Sequence, residues 1–500
     1  MDTRTDAAVF GGRRVHFIGI GGCGTSGLAR MMRSRGACVT GSDEEASDVT
    51  RALAADGIEV EVGPAAASIP SGTELVVFSA AVQESNPQLA AARSAGIECL
   101  NYAQALGVAQ SGRTAVSIAG THGKSTTTAL LSHLLIEAGL DPSVIVGAHC
   151  PQFGGGTRTG SERIPAGTLA GERGIFVAEA CEFNRSFHSH RPTLALINNV
   201  EEDHLDCYGS LDEIVKSFRA FAGLLPAAEH GGKLLIAHEG AHRRAVASGL
   251  ACAVRTFGWS PSADYRVEFI PATNEGALYQ GDACVVSWRG QLIGEHNALN
   301  AAAAAILASW LGASWRDIQC GLESFAGIDR RMQKIGECES PSGARFTVFD
   351  DYGHHPTECE RTLAALRSAH DPRRLICVFQ PHQHSRTRFL LEQFAQSFGR
   401  ADLVIVPPIY FVRDSELERT RVCSEDLVQR LIERGTEAMA IEDFGTIADR
   451  ITADARDGDL VVVMGAGPVW KVAHELVRRH GTASRAAATC PPRAAASPTE

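Results

Sequence analysis

The sequence predicts an α/β protein of three domains, and three observations lead there. Its 500 residues correspond to about three domains at roughly 100 to 200 residues each, every one long enough to bury its own core. Short apolar runs rich in Val and Ile recur ahead of glycine or polar turns, with helix-like stretches between many of them, which is the alternation of a parallel α/β architecture. That alternation restarts three times, giving blocks over 1–112, 113–328 and 329–480, and ends before 481–500, which has no apolar period and reads as a disordered tail.

The runs that read as strands are Val15 to Ile20, Leu75 to Ser79, Ala115 to Ala119, Ile175 to Ala178, Leu194 to Ile197, Leu375 to Phe379, Leu403 to Val406 and Leu460 to Met464. Gly154 through Gly174 reads as a long loop. The alanine-rich stretch Ala298 to Ala313 contains Asn300 and Ser309, so it is expected as a buried helix and not a membrane span. The apolar stretch after Arg13 and Arg14 is too short for a signal-peptide core.

Fifty-eight acidic against 47 basic side chains give a net charge of −11, which argues against general affinity for nucleic acid or anionic membranes. Anionic ligands must then be held locally, by loops and individual cations. Fourteen cysteines without a C-x-x-C pair favour a reduced, cytoplasmic protein whose thiols are mostly small core residues.

At the end of the first strand, Gly19-Ile20-Gly21-Gly22-Cys23-Gly24 forms a G-x-G-x-x-G turn, with a helix expected near Ser26. Glycine lets backbone amides approach a diphosphate, and the helix N-terminus adds positive potential. Asp43 closes a second short strand, where a carboxylate suits a ribose hydroxyl. The chemistry is diphosphate plus ribose. It fits a nicotinamide dinucleotide, as in a dehydrogenase, or another nucleotide diphosphate, and a plain tight turn is the structural alternative.

The second turn is more specific. A strand, Thr114 to Ala119, runs into Gly120-Thr121-His122-Gly123-Lys124-Ser125-Thr126 and an amphipathic helix. This is a phosphate-binding loop, with Lys124 able to reach the β- and γ-phosphates and Ser125 able to ligate Mg²⁺, so the chain is expected to bind a nucleoside triphosphate. Hard ligands for the metal are available at neighbouring strand ends: Glu179, and Asp203-His204 after Leu194 to Ile197. A solvated strand-end acid and an acidic helix start are the alternatives for these residues.

His296, Asn297 and Asn300 precede the alanine-rich helix; asparagine is a competent cap, so capping by Asn297 or Asn300 suits the pattern at least as well as ligand contact. In the third block, Asp350-Asp351-Tyr352-Gly353-His354-His355-Pro356 stands at a strand end, followed by Pro381-His382-Gln383-His384-Ser385-Arg386-Thr387-Arg388. The adjacent histidines lack the spacing of a helical zinc pair. His382, Arg386 and Arg388 suit a carboxylate or phosphate, with a solvated basic turn as the alternative.

Together, His16-Phe17-Ile18-Gly19-Ile20-Gly21-Gly22, Gly120-Thr121-His122-Gly123-Lys124, Glu179-Ala180, Glu202-Asp203-His204-Leu205-Asp206, Gly294-Glu295-His296-Asn297, Asp350 to Pro356 and Arg386-Thr387-Arg388 strongly resemble the Mur ligases, in order over residues 14 to 478. The resemblance implies an N-terminal Rossmann-like domain for UDP, a central P-loop ATPase-like parallel sheet and a C-terminal Rossmann-like domain. It assigns the first glycine turn to UDP, without a nicotinamide.

The activity it implies is ATP-dependent ligation of L-alanine to the lactyl carboxylate of UDP-N-acetylmuramate through an acyl phosphate, with ATP and Mg²⁺ as cofactors. Members that recycle whole peptides typically carry Glu-Pro-Arg-Ser-Asn-Thr where this chain has Gln380-Pro381-His382-Gln383-His384-Ser385, which favours alanine addition over peptide recycling. A dehydrogenase is the more distant rival, and an ATP-gated nucleotide-sugar sensor the non-enzymatic one.

The roles the resemblance implies are these. Lys124, Glu179, His204, His354 and Arg386 are catalytic. Gly120, Thr121, His122, Gly123, Lys124, Ser125, Thr126, His296, Asn297, Asn300, Arg330 and Arg331 hold ATP. Gly19, Gly21, Gly22, Gly24, Asp43, Ser79, Tyr352, His382, Arg386 and Arg388 hold the other substrates, and Ser125, Glu179 and His204 ligate the metal. Two departures stand out: Ser125 replaces the family's usual Thr, and Cys181 and Asn184 replace acids that usually follow Glu-Ala.

Overall fold

The computed structural model describes residues 10–64, 68–412 and 414–482, whose strands form three sheets. The first has five parallel strands in the order β3-β2-β1-β4-β5: β1 (Arg14–Ile18), β2 (Cys38–Asp43), β3 (Glu59–Val62), β4 (Leu75–Phe78) and β5 (Glu98–Asn101). β1 is central, and Val15, Phe17 and Ile18 are buried, as a strand covered on both faces requires. Helix α1 (Cys23–Ser34) begins three residues before the expected Ser26, with Gly22 at its N-cap. Helix α2 (Tyr102–Gln110) starts on a reciprocal capping box between Asn101 and Gln104.

The second sheet has ten strands in the order β15-β14-β13-β12-β11-β10-β6-β9-β7-β8. They are β6 (Thr114–Ala119), β7 (Ser143–Cys150), β8 (Gly155–Arg158), β9 (Ile175–Glu179), β10 (Leu194–Ile197), β11 (Lys233–Ala237), β12 (Ala253–Gly258), β13 (Tyr265–Ile270), β14 (Glu275–Gln280) and β15 (Ala283–Arg289). β6 lies between β9 and β10, parallel to both, so its C-terminal end faces the ends of two neighbours, the place where open α/β sheets hold ligands.

The expected loop from Gly154 to Gly174 is interrupted by β8, which pairs antiparallel with β7. β13, β14 and β15 form antiparallel hairpins; they are half-exposed and alternate in polarity, so continuous apolar runs do not reveal them. Helix α3 (Lys124–Glu137) follows β6, and helices α4 (Glu295–Trp310) and α5 (Trp315–Ser324) complete this core. α4 confirms the buried alanine helix: Ala301 to Ala305 are all buried.

By compactness the described residues divide into two units, those up to 331 with 364–370, and 332–363 with those from 371 on. The first two sheets share one unit because α1 lies against the second sheet: a Cβ on Gly27 would collide with the Thr157 hydroxyl on β8. Arg35 adds a hydrogen bond to the Ala109 carbonyl (3.0 Å) and stacks over Phe176. Behind them, the buried side chains of Gln110, Ser117 and His190 hydrogen-bond to one another.

The third sheet, in the other unit, runs β16-β17-β21-β18-β19-β20. Its strands are β16 (Gln333–Glu339), β17 (Arg345–Asp351), β18 (Arg374–Phe379), β19 (Leu403–Val406), β20 (Glu437–Ala440) and β21 (Asp459–Met464), parallel except for β16. Val348, Ile376, Val378, Ile405, Val461 and Val463 form its core with Leu476. The first two residues of the expected tail are tied to β16: Gly481 bridges Cys338, and the Thr482 amide donates to the Glu337 carbonyl (2.8 Å). The rest, 483–500, lies outside the described residues.

The expectation of mostly core thiols needs correction. Cys150, Cys252, Cys338, Cys359 and Cys377 are buried, but Cys38, Cys181, Cys284, Cys320 and Cys423 are exposed, because a small, weakly polar side chain is tolerated in either place. Among the described residues no helix is long and apolar enough to cross a membrane.

Candidate active site

The phosphate loop leaves the C-terminal end of β6 and reverses through two glycines, Gly120 (φ +140°) and Gly123 (φ +80°), before α3 begins at Lys124. At Gly123 a side chain is excluded twice over: φ is left-handed, and a Cβ would lie 2.6 Å from Asn300 Oδ1. The amides of Lys124, Ser125 and Thr126 belong to the first turn of α3, where helix geometry leaves N–H groups without intrahelical partners.

Lys124 Nζ donates to the Gly120 carbonyl (2.6 Å), the Thr121 carbonyl (3.0 Å) and the Glu182 carboxylate (2.9 Å), which uses all three ammonium protons. Burial desolvates this ammonium and by itself lowers its pKa. The carboxylates, Glu182 before Glu179, more than offset that and hold it above the ordinary lysine value. Glu182 is itself buried. Sequence reasoning left Glu182 without a role, although a second acid three residues beyond Glu179 on the same strand exit was the signal for it.

Ser125 Oγ donates to Glu179, 3.0 Å from each carboxylate oxygen, and the Gly147 amide also donates to Glu179 (2.9 Å). His204 is held elsewhere. Its backbone is left-handed (φ +51°), its amide donates to Asp203 Oδ1 (2.7 Å), and its Nε2 lies 3.6 Å from Asp203 Oδ2. Ligand atoms of Glu182, Asp203 and His204 all fall within 4.8 Å of one another. The expected trio thus separates into a Ser125–Glu179 pair and a Glu182–Asp203–His204 group, both rich in the oxygen donors that suit Mg²⁺. Of the residues standing where acids usually follow, Cys181 is exposed, and Asn184 occupies a left-handed position (φ +51°) that asparagine tolerates; its amide oxygen accepts from the Cys207 thiol (3.3 Å).

The exit of β10 grips the loop from behind. The Thr121 amide donates to the Asn199 carbonyl (3.1 Å), the His122 amide to Asn199 Oδ1 (2.7 Å), and the Glu201 amide to Thr121 Oγ1 (2.9 Å). His122 Nε2 lies 3.4 Å from Glu201. Asn198 Nδ2 donates to Thr127 Oγ1 (3.2 Å) and reaches Asn300 Oδ1 (3.4 Å). Asn300 donates in turn to Asn297 Oδ1 (3.2 Å), and Asn297 to the Ile293 carbonyl (2.9 Å). The capping alternative falls: α4 starts at Glu295 behind Gly294, so Asn297 and Asn300 lie inside the helix. The His296 ring lies against Gly294, where a Cβ would be 2.9 Å from its Cε1.

In the first sheet, Asp43 Oδ2 accepts from the Gly21 amide (2.7 Å), so the carboxylate expected on a ribose braces the glycine turn instead. Gly19 abuts Ser79, with 2.9 Å from a would-be Cβ to the serine Cβ, and the Thr25 hydroxyl, which abuts Gly22, donates to the Gly19 carbonyl (2.8 Å). Gly24 has a packing reason, since a Cβ there would lie 2.6 Å from the Tyr102 ring.

In the third sheet, rings beyond the ends of β17, β18 and β19 form a ladder: Tyr352 on His354 (5.5 Å), His354 on His382 (5.8 Å) and His382 on Tyr410 (5.8 Å). Arg386, buried, places its guanidinium 3.2 Å from His382 Nδ1. His354 pairs with Glu358 at 3.5 Å. Arg388 stands apart from this ladder, in a bidentate pair with Glu418 (2.8 and 3.1 Å). Arg330 has a left-handed backbone (φ +61°) and, with Arg331, ends the first unit before β16.

Three segments match Mur ligase domains: residues 14–113 the Mur ligase family catalytic domain, 118–308 the Mur ligase middle domain and 330–467 the Mur ligase glutamate ligase domain. The UDP-N-acetylmuramate–L-alanine ligase of Agathobacter rectalis is 36% identical over 472 residues, 93% of this chain and 98% of that one. The chain belongs to the Mur ligase family. The ligase of the same name from Paenarthrobacter aurescens is 39% identical over 463 residues, 91% and 94% of the two chains. Among solved structures, this Mur ligase shares its fold with a UDP-N-acetylmuramate–alanine ligase from Thermotoga maritima (TM-score 0.72, 24% identity, 93% and 98% covered). A murein peptide ligase from Psychrobacter arcticus is similar as well (TM-score 0.67, 25% identity, 93% and 98% covered).

Proposed function

We propose that this Mur ligase joins the amine of L-alanine to the lactyl carboxylate of UDP-N-acetylmuramate, converting ATP to ADP and phosphate, as a step of peptidoglycan precursor synthesis in the cytoplasm. The observation that carries the reading is Lys124 at the head of α3, between the loop carbonyls and Glu182, with Ser125 bonded to Glu179 beside it. Similarity over nearly the full length to ligases of that activity supports it.

A carboxylate is a poor electrophile and oxide a poor leaving group. Attack of the lactyl carboxylate on the γ-phosphate gives an acyl phosphate and ADP; the alanine amine then attacks the acyl carbon, and phosphate leaves. Lys124 exchanges Glu182 for the β- and γ-phosphates, and the first-turn amides of α3 bind the same oxygens. Ser125 with Glu179, and Glu182 with Asp203 and His204, are the residues to hold Mg²⁺, which when bound neutralises phosphate charge. His122, His296, Asn297 and Asn300 shape the nucleotide site, with Arg330 and Arg331 turned to the phosphates. Gly19, Gly21, Gly22 and Ser79 hold the UDP diphosphate, and Asp43 keeps their turn in shape through the Gly21 amide. Tyr352, His354, His382 and Arg386 take the alanine carboxylate, and Arg388 acts through its pair with Glu418.

Likeness to a murein peptide ligase favours a second reading, in which an intact stem peptide is the nucleophile. It predicts turnover with a tripeptide and none with free L-alanine. Lys124→Ala tests the division of labour common to both readings: ADP formation is expected to vanish while UDP-N-acetylmuramate binding, measured by calorimetry, stays within about two-fold because the lysine heads α3 beside the second sheet while the glycine turn for UDP leaves the first. Loss of both together contradicts it.

A further inference from the structure

We infer that Asn199 is a positioning residue for the phosphate loop, an inference that rests on the loop's being the ATP site. Two glycines with positive φ, Gly120 and Gly123, bracket Thr121 and His122, and glycine's freedom gives so short a segment several backbone paths unless its middle is fixed. Asn199 fixes it. Its side-chain amide takes both main-chain groups of His122: Oδ1 accepts from the His122 amide (2.7 Å), and Nδ2 points to the His122 carbonyl (3.4 Å). Its own carbonyl takes the Thr121 amide (3.1 Å), so one residue addresses both residues between the glycines. A planar amide with donor and acceptor side by side suits this task, as an aliphatic or hydroxyl side chain does not.

Asn198 supports the same element from the other side. Successive residues leaving a strand face opposite ways, and Asn198 reaches Thr127 on α3 and Asn300 on α4 while Asn199 reaches the loop. Because Asn199 consumes the Thr121 and His122 amides, the donors left to meet phosphate are the Gly123 amide and those of the α3 first turn. The residue therefore sets which amides face the nucleotide and keeps the loop formed before ATP arrives, which spares ATP binding the ordering of the loop.

The test uses the full chain with Asn199→Leu, close in shape but unable to hydrogen-bond, and Asn199→Ala. ADP affinity by calorimetry is expected to fall about ten-fold or more, with the KM for ATP rising in parallel, while affinity for UDP-N-acetylmuramate stays within about two-fold. Unchanged ADP affinity in Asn199→Leu overturns the inference. Equal weakening of both ligands overturns it as well, since that is general damage to the fold. If instead the unaltered protein fails to bind ADP, the underlying nucleotide reading is what falls.

Discussion

The Ser125 hydroxyl sits 3.0 Å from both carboxylate oxygens of Glu179, joining the head of α3 to the end of the adjacent strand β9. Glu179→Gln keeps the shape and a hydrogen bond to Ser125 but removes the charge. It is expected to lower kcat by about 100-fold or more and to raise the Mg²⁺ concentration needed for half-maximal rate. Ser125→Thr, which keeps the hydroxyl, stays near the parent rate, and a Mg²⁺ titration of phosphate release checks both.

Glu182→Gln leaves the buried Lys124 ammonium without its counterion. Removing one partner of a buried pair destabilises by roughly 3 kcal/mol, so the urea midpoint falls. Saturating ATP restores part of the loss in the variant, because the phosphates supply the missing negative charge. A variant with the parent midpoint in the absence of nucleotide contradicts the pairing.

His190 gives a pH signature of stability. Burial lowers its pKa from 6.5 to about 4, so the unfolded chain takes up the proton first. Its contribution is complete above pH 6.5, is lost as pH falls from 6.5 toward 4, and amounts to roughly 3 kcal/mol across that window. In denaturant unfolding at pH 7.5 and 4.5, His190→Gln is expected to lose less stability on acidification than the parent. An identical loss sinks this assignment.

On the proposed assignment, Arg386 takes the alanine carboxylate and has no part in ATP recognition. Arg386→Lys keeps the charge but not the planar fork, and a rise of roughly ten-fold or more in the KM for L-alanine is expected, with the KM for ATP unchanged. Steady-state phosphate release at varied alanine and varied ATP decides it.

Much of this was legible along the chain. The strand ends that carry Gly19, Gly120 and Glu179 follow continuous apolar runs, and a buried parallel strand announces itself that way; Arg386 follows another such run, β18, in the helix just beyond it. The hairpins β13 to β15 were not legible, since their half-exposed alternation carries a weaker signal. Partner choice was hidden for a different reason. Asp43 sits where a ribose ligand is expected, yet bonds the Gly21 amide, and His204 groups with Glu182 and Asp203, while Glu179 bonds Ser125. Spacing brings such residues to one edge of a sheet, while side-chain pairing depends on turns, such as the left-handed His204 and Asn184, that no periodicity encodes.

The most direct measurement is a coupled assay of phosphate release and product mass with ATP, Mg²⁺ and UDP-N-acetylmuramate, offering L-alanine, glycine, L-serine or a stem tripeptide. The account predicts one ADP and one phosphate for each UDP-N-acetylmuramoyl-alanine formed, with L-alanine the best substrate. Amide product with the tripeptide alone, or ADP formed without any amide, contradicts it.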